Sequence, residues 1–188
     1  MRVSSFLGAT LAVSAGIWGV VGQPALAVTL SDGTVNFMGV PRLEGASTTF
    51  NDTYAWGATY YFTIRVPEDA GEPLQRIAIA QHEGSDDIEF DLEETRAYEG
   101  TRRNRQSEIS LLATTSNKDN QTLDLTFSPP VPPGKTVTIA LRPVRNPRYG
   151  GVYLFGVTAF PAGEKARGQF LGFGRLHFYE RGDWGRYW

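Results

Sequence analysis

Three arginines recur at every third position in Arg142-Pro143-Val144-Arg145-Asn146-Pro147-Arg148. In an extended or polyproline-like segment, a three-residue repeat brings side chains to one side. Guanidinium groups aligned in this way can each make two charge-assisted hydrogen bonds to a carboxylate, a phosphate or an acidic sugar. The expectation is a loop in which Arg142, Arg145 and Arg148 contact an acidic envelope polysaccharide or protein. The competing expectation is that the same arginines bond carbonyls and acids of their own domain.

A second cluster of chemistry-bearing residues lies between His82 and Glu99. It carries Glu83, Asp86, Asp87, Glu89, Asp91, Glu93, Glu94 and Glu99 with Arg96 as its one cation, and Arg102, Arg103 and Arg105 follow it. Asp86, Asp87, Glu89 and Asp91 supply hard oxygen ligands of the kind calcium takes, although their spacing does not match the twelve-residue helical calcium loop. The alternative is a solvated acidic loop paired with the arginines after it, where each exposed pair contributes only about 0–1 kcal/mol. Paired carboxylates also serve glycoside hydrolysis, so an enzyme acting on envelope glycans is the second functional reading, with the carboxylate separation left to the structure.

Other chemistries are poorly supplied. Cysteine is absent, which removes disulfides, thiol nucleophiles and thiolate metal sites. The histidines are His82, in the acidic segment, and His177, on a strand face, and no Gly-x-Ser-x-Gly elbow accompanies either. No catalytic residue is therefore assigned and no cofactor is expected, calcium apart. A formal charge of −2 gives no bulk attraction to nucleic acid. Of the 18 cationic residues, 15 are arginine and 3 lysine, which favours planar, hydrogen-bonded contacts over solvated point charges.

The elements that must position these residues read as strands. Residues 1–27 stand apart: Arg2, an apolar stretch from Phe6 to Val21, and Gln23-Pro24-Ala25-Leu26-Ala27 form the ordered regions of a signal peptide. Cleavage is expected between Ala27 and Val28, with no membrane span in what remains. The chain should then be extracytoplasmic, with periplasm, outer envelope, secretion and thylakoid lumen all open. In Thr59–Val66, Tyr60, Phe62, Ile64 and Val66 alternate with polar partners, as in a half-buried strand. Leu74–Gln81 reads as a central strand or, failing that, a short helix.

Leu123, Leu125 and Phe127, then Val137, Ile139 and Leu141, face inward, with Thr138 outward. The four prolines between these two strands must lie in a loop or at an edge. Val152–Phe160 is a longer aromatic strand with Tyr153, Phe155 and Val157 on its inner face, and Tyr153 is placed as in a tyrosine corner. In Gly168–Tyr179, Phe170, Leu176 and Phe178 are expected to share one face. Residues 181–188 read as a flexible C-terminal tail. No segment sustains a helical period, and strands recur with Gly and Pro between them. The expected fold is all-β: one antiparallel two-sheet sandwich over residues 28–180, immunoglobulin-like.

Val131-Pro132-Pro133-Gly134, the arginine segment, Tyr153–Glu164, and Leu171-Gly172-Phe173-Gly174-Arg175-Leu176-His177-Phe178-Tyr179 together resemble the cyanobacterial exported family called domain of unknown function 2808. Gly57-Ala58-Thr59-Tyr60-Tyr61-Phe62 and Gly71-Glu72-Pro73-Leu74-Gln75 are similar too. The resemblance implies a cyanobacterial exported protein and supplies no activity or catalytic residue. With the loop reading, it leads to an exported, non-enzymatic binding or structural module of the cell envelope.

Overall fold

The computed structural model describes Val28, Thr29 and residues 33–180. The signal segment 1–27 with Ala27, and the tail 181–188, lie outside the described residues. Val28–Thr29 (β1) pairs with Val35–Asn36 (β2) in a small antiparallel ribbon. The body consists of Arg42–Thr48 (β3), Tyr60–Arg65 (β4), Leu74–Glu83 (β5), Phe90–Thr101 (β6), Asn104–Ile109 (β7), Leu111–Asn117 (β8), Thr122–Val131 (β9), Thr136–Pro143 (β10), Gly151–Pro161 (β11) and Gln169–Phe178 (β12). One sheet has the order β3-β4-β10-β6-β7, the other β12-β11-β5-β9-β8. All the pairings within the two sheets are antiparallel. The chain passes from the first sheet to the second between β4 and β5, at Ser110 between β7 and β8, and between β10 and β11. This is the all-β, immunoglobulin-like sandwich that the alternation predicts.

The inner faces follow the apolar positions. Tyr60, Phe62 and Ile64 of β4 and Val137, Ile139 and Leu141 of β10 are fully buried. They meet Ile77 of β5, Leu125 and Phe127 of β9, and Tyr153, Phe155 and Val157 of β11. Each fully buried Ile, Leu, Val or Phe side chain contributes roughly 1.5–3 kcal/mol. Leu74–Glu83 is a strand, with β11 on one side and β9 on the other. Of the four prolines, Pro129 and Pro130 fall inside β9, where its register with β5 shifts between Leu74 and Arg76. There Gln75 Nε2 donates to the Phe127 carbonyl at 2.7 Å. Tyr153 donates its hydroxyl to the Tyr149 carbonyl at 3.0 Å, the tyrosine-corner bond.

One exposure, that of Thr138, and one face assignment, that of Phe170, are corrected. Thr138 is fully buried: its hydroxyl donates to the Gly100 carbonyl at 2.7 Å and shares a 3.0 Å hydrogen bond with Thr63. It does lie on the outer side of β10, opposite Thr63 and Tyr98, but those neighbours cover it. Thr138→Ala should therefore cost about 1–3 kcal/mol, because the Gly100 carbonyl loses its partner. Thr138→Ser should recover most of the loss, read as the urea midpoint at unchanged slope. Phe170 is 51% exposed while Leu176 and Phe178 are buried. A register shift between Val157 and Thr158 pairs them with Gly172 and Phe170, so one extra residue of β12 reverses its side-chain parity. Gly172 takes φ +113 there, a backbone that L side chains rarely adopt.

Candidate functional site: a polar cavity between two loops

At one end of the sandwich, the β5–β6 connection faces the β10–β11 connection across a cavity of about 510 Å³. Ser85, Asp86, Asp87 and Glu89 line one wall, and Val144 to Arg148 the other. The walls are held by specific bonds. Gln81 donates through Nε2 to the Asp86 carbonyl at 2.7 Å and accepts from the Ile88 N–H at 3.0 Å. Gly84 packs so tightly that a Cβ would stand 2.2 Å from the Tyr153 ring. The Val144 N–H donates to the Glu89 carbonyl at 2.9 Å and joins the two walls.

Asn146 anchors the second wall. It is fully buried, and its Nδ2 donates to the carbonyls of Phe50 at 3.0 Å and Asp52 at 2.9 Å. Its Oδ1 accepts the Tyr60 hydroxyl at 2.9 Å. The backbone adds two bonds, Asn146 N–H to the Ala55 carbonyl and Tyr54 N–H to the Pro147 carbonyl. Burial pushes the Tyr60 phenol well above its ordinary pKa, with the nearby Tyr153 adding to the shift, so it is held as a neutral donor.

Asp86 and Arg148 form the main ion pair across the cavity. Arg148 reaches both carboxylate oxygens, with Nη2 at 2.8 Å and Nε at 3.2 Å, and its backbone N–H adds a bond at 2.8 Å. The Asp86 side chain is only 7% exposed. The Arg148 side-chain hydrogen bond, reinforced by the charges of Arg148 and Arg145, holds the Asp86 carboxyl below its usual range despite burial. The pair therefore stabilises the fold above the ordinary aspartate pKa, and that contribution fades as pH falls through the lowered value. Arg145 is half-buried, forms no salt bridge among the described residues, and stands 6.0 Å above the Tyr54 ring centre.

A family model described as "Protein of unknown function (DUF2808)" matches residues 34–178. The chain belongs to the DUF2808 family. No curated protein matches it. In structure, this DUF2808 chain is similar to the collagen-binding domain of a Staphylococcus aureus adhesin, with 10% identity over 72% of this chain and 95% of that one, at a TM-score of 0.40. It is also similar to the C-terminal domain of the Streptococcus pyogenes antigen I/II-family protein AspA, with 12% identity over 71% and 45%, at 0.39. A cohesin module from a Clostridium perfringens family 33 glycoside hydrolase gives 11% over 74% and 97%, at 0.34. These likenesses concern the β-sandwich alone.

The DUF2808 fold divides the arginine row. Arg145 and Arg148 line the cavity, whereas Arg142 lies within β10 and projects from the outer face of the first sheet. The segment is a strand end followed by a turn, so the polyproline spacing does not hold. Nor do the four candidate calcium ligands converge. Asp86 binds Arg148, Glu89 binds Lys118 at 3.0 Å, and Asp91 Oδ1 accepts the N–H groups of Glu93 and Glu94 at 3.0 and 3.3 Å. Among the described residues, no group of three or more His, Asp or Glu is arranged to hold a metal ion. His82 lies on β5 beside Phe173, their ring centres 5.2 Å apart, and His177 is exposed on β12. Among the described residues, no helix is long and apolar enough to cross a membrane.

Sequence reasoning treated Asn146 as one residue of the arginine loop. Its role depends on a hydrogen-bond partner 86 residues away, Tyr60, and no local signal announces that.

Proposed function

We propose that this DUF2808 protein is an exported, non-enzymatic binding module of a cyanobacterial cell envelope, and that it holds an anionic group of its ligand on Arg145. One observation carries the reading: a guanidinium with no salt bridge among the described residues lines a cavity whose walls are already fixed by Asn146, Gln81 and the Asp86–Arg148 pair. A preordered site avoids much of the loop and side-chain ordering that binding costs. Export rests on the N-terminal segment and on the family resemblance. The hydrolytic alternative requires two carboxylates facing each other across a cleft. Here Asp86 and Glu89 are already engaged with cations, which leaves Asp87 without such a partner.

The two arginines of the cavity should behave differently. Arg145→Gln should reduce affinity for an acidic glycan or an acidic peptide about tenfold, the loss of a charge-assisted contact, and leave the melting temperature unchanged. Arg148→Gln should lower the melting temperature, because the buried Asp86 loses its counter-charge. Calorimetric titration paired with thermal melts reads both. The binding assignment fails if Arg145→Gln destabilises the fold or leaves affinity unaltered.

A further inference from the structure

The outer face of the first sheet gathers arginines that are far apart in sequence. Ala140 of β10 pairs with Tyr61 of β4 on one side and Arg96 of β6 on the other. Arg102 lies 4.8 Å above the Tyr61 ring centre, and Arg105 lies 4.7 Å above that of Tyr98. With Arg142 they surround a concavity of about 310 Å³ with Ala140 among its lining residues. Among the described residues, Arg102, Arg105 and Arg142 make no salt bridge, and Arg102 Nη1 donates to the Thr48 carbonyl at 3.3 Å. Arg96 approaches Glu108 only to 3.9 Å, and among the described residues Glu94 is the one carboxylate lining the concavity. In a chain of formal charge −2, this is a local reversal of sign.

We infer that this face binds a linear acidic polysaccharide laid across the strands. Arg142, Arg96 and Arg105 come from the neighbouring strands β10, β6 and β7, which lie about 4.8 Å apart, and Arg102 comes from the β6–β7 turn. A row of guanidinium groups spread over three strands and a turn suits an extended chain with a charge on each sugar. The tyrosine faces are covered by guanidinium groups, and Tyr98 is 2% exposed, so neither tyrosine offers an open platform for stacking nucleobases. Small Ala140 between larger neighbours makes a narrow depression, suited to one extended chain rather than to a folded protein surface. Trp56, 71% exposed, precedes Gly57, which packs beside the Arg142 guanidinium. This exposed indole, one residue from Gly57, supplies an apolar ring against which a sugar face can lie. This surface is separate from the loop cavity and is assigned on different residues.

The test is binding of galacturonate oligomers of increasing length to the processed full chain. Affinity should rise with length over the first few sugars, weaken with added salt, and be absent for neutral dextran. Arg142→Gln, which removes no hydrogen bond of the fold, should weaken binding of the longer oligomers about tenfold, and Arg142→Gln with Arg105→Gln more. Arg145→Gln should leave this length dependence intact, which separates failure of this proposal from failure of the loop site. The proposal is overturned if the Arg142 variant binds like the parent, or if affinity is independent of length. It is equally overturned if polyglutamate, single-stranded DNA or phosphatidylserine vesicles compete better than the oligomers.

Discussion

Phe155→Ala should destabilise the fold by about 3–5 kcal/mol, the range for emptying a buried aromatic position. Phe155 is fully buried on β11 at the middle of the core. Its ring centre lies 5.7 Å from that of Phe62, 6.2 Å from Tyr60 and 6.3 Å from Phe90, so one truncation strips the aromatic contacts by which the second sheet meets the first. Those neighbours stand on rigid strands and cannot collapse into the space, which is why the cavity term adds to the lost burial. Leu112→Ala is the matched control. It also removes an apolar side chain, but from a position 71% exposed on the edge strand β8, and should change stability by within about 0.5 kcal/mol. Equal shifts in urea midpoint would mean that the inner face of β11 is not the core.

Phe155 was legible in the sequence because β11 alternates cleanly, as do β4, β10 and the first half of β9. In each, the apolar face is buried with a period of two, and only Thr138 of β10 adds a buried side chain on the other face. Legibility ends at irregular pairing. β3 reads Arg-Leu-Glu-Gly-Ala-Ser-Thr, an edge strand with a register shift between Leu43 and Gly45 and little apolar signal. β6 was hidden inside the acidic run. From Ala140 to Arg142, two steps along β10 match five steps along β6, from Arg96 back to Asp91. The extra residues form an outward bulge that Asp91 caps, so carboxylates that suggested a loop are the exposed side of a strand. Phe170 was misassigned for the same reason, since a single added residue in β12 reverses every face before it.

The site was legible only in part. The composition of the Arg142–Arg148 segment marked it as a binding candidate, but composition does not say where a strand stops. Arg142 falls inside β10 and its side chain joins Arg96, Arg102 and Arg105, while Arg145 and Arg148 fall after the strand and turn to the cavity. What separates Arg145 from Arg148 is Asp86, 62 residues before Arg148. Pairing register and loop contacts of this range have no local sequence signature.

Asn146→Ala should be the most damaging change in the loop, at about 3 kcal/mol or more. It removes partners from the Phe50 and Asp52 carbonyls and from the Tyr60 hydroxyl, and each buried group left unpaired costs about 1–3 kcal/mol. The losses fall short of additive because the 50–55 segment can relax toward water once released. Tyr60→Phe removes one side of the same network, so the double variant should cost less than the sum of the singles in a mutant cycle. Asn146→Asp is the sharper probe. The amide donates to two carbonyls, whereas a carboxylate can only accept, so the site favours the protonated acid. The folded-state pKa of the new aspartate is then raised, and the variant should be most stable below about pH 4, losing stability as pH rises toward the raised value. Wild type has no titrating group at this position and should not follow that curve. Binding separates the roles again: both Asn146 variants should lose affinity together with stability, because the wall that carries Arg145 is released, whereas Arg145→Gln loses affinity alone. An Asn146→Ala protein that melts like the parent would show that the loop is held by its backbone bonds to Ala55 and Tyr54, and that the buried amide is not what preorders the cavity.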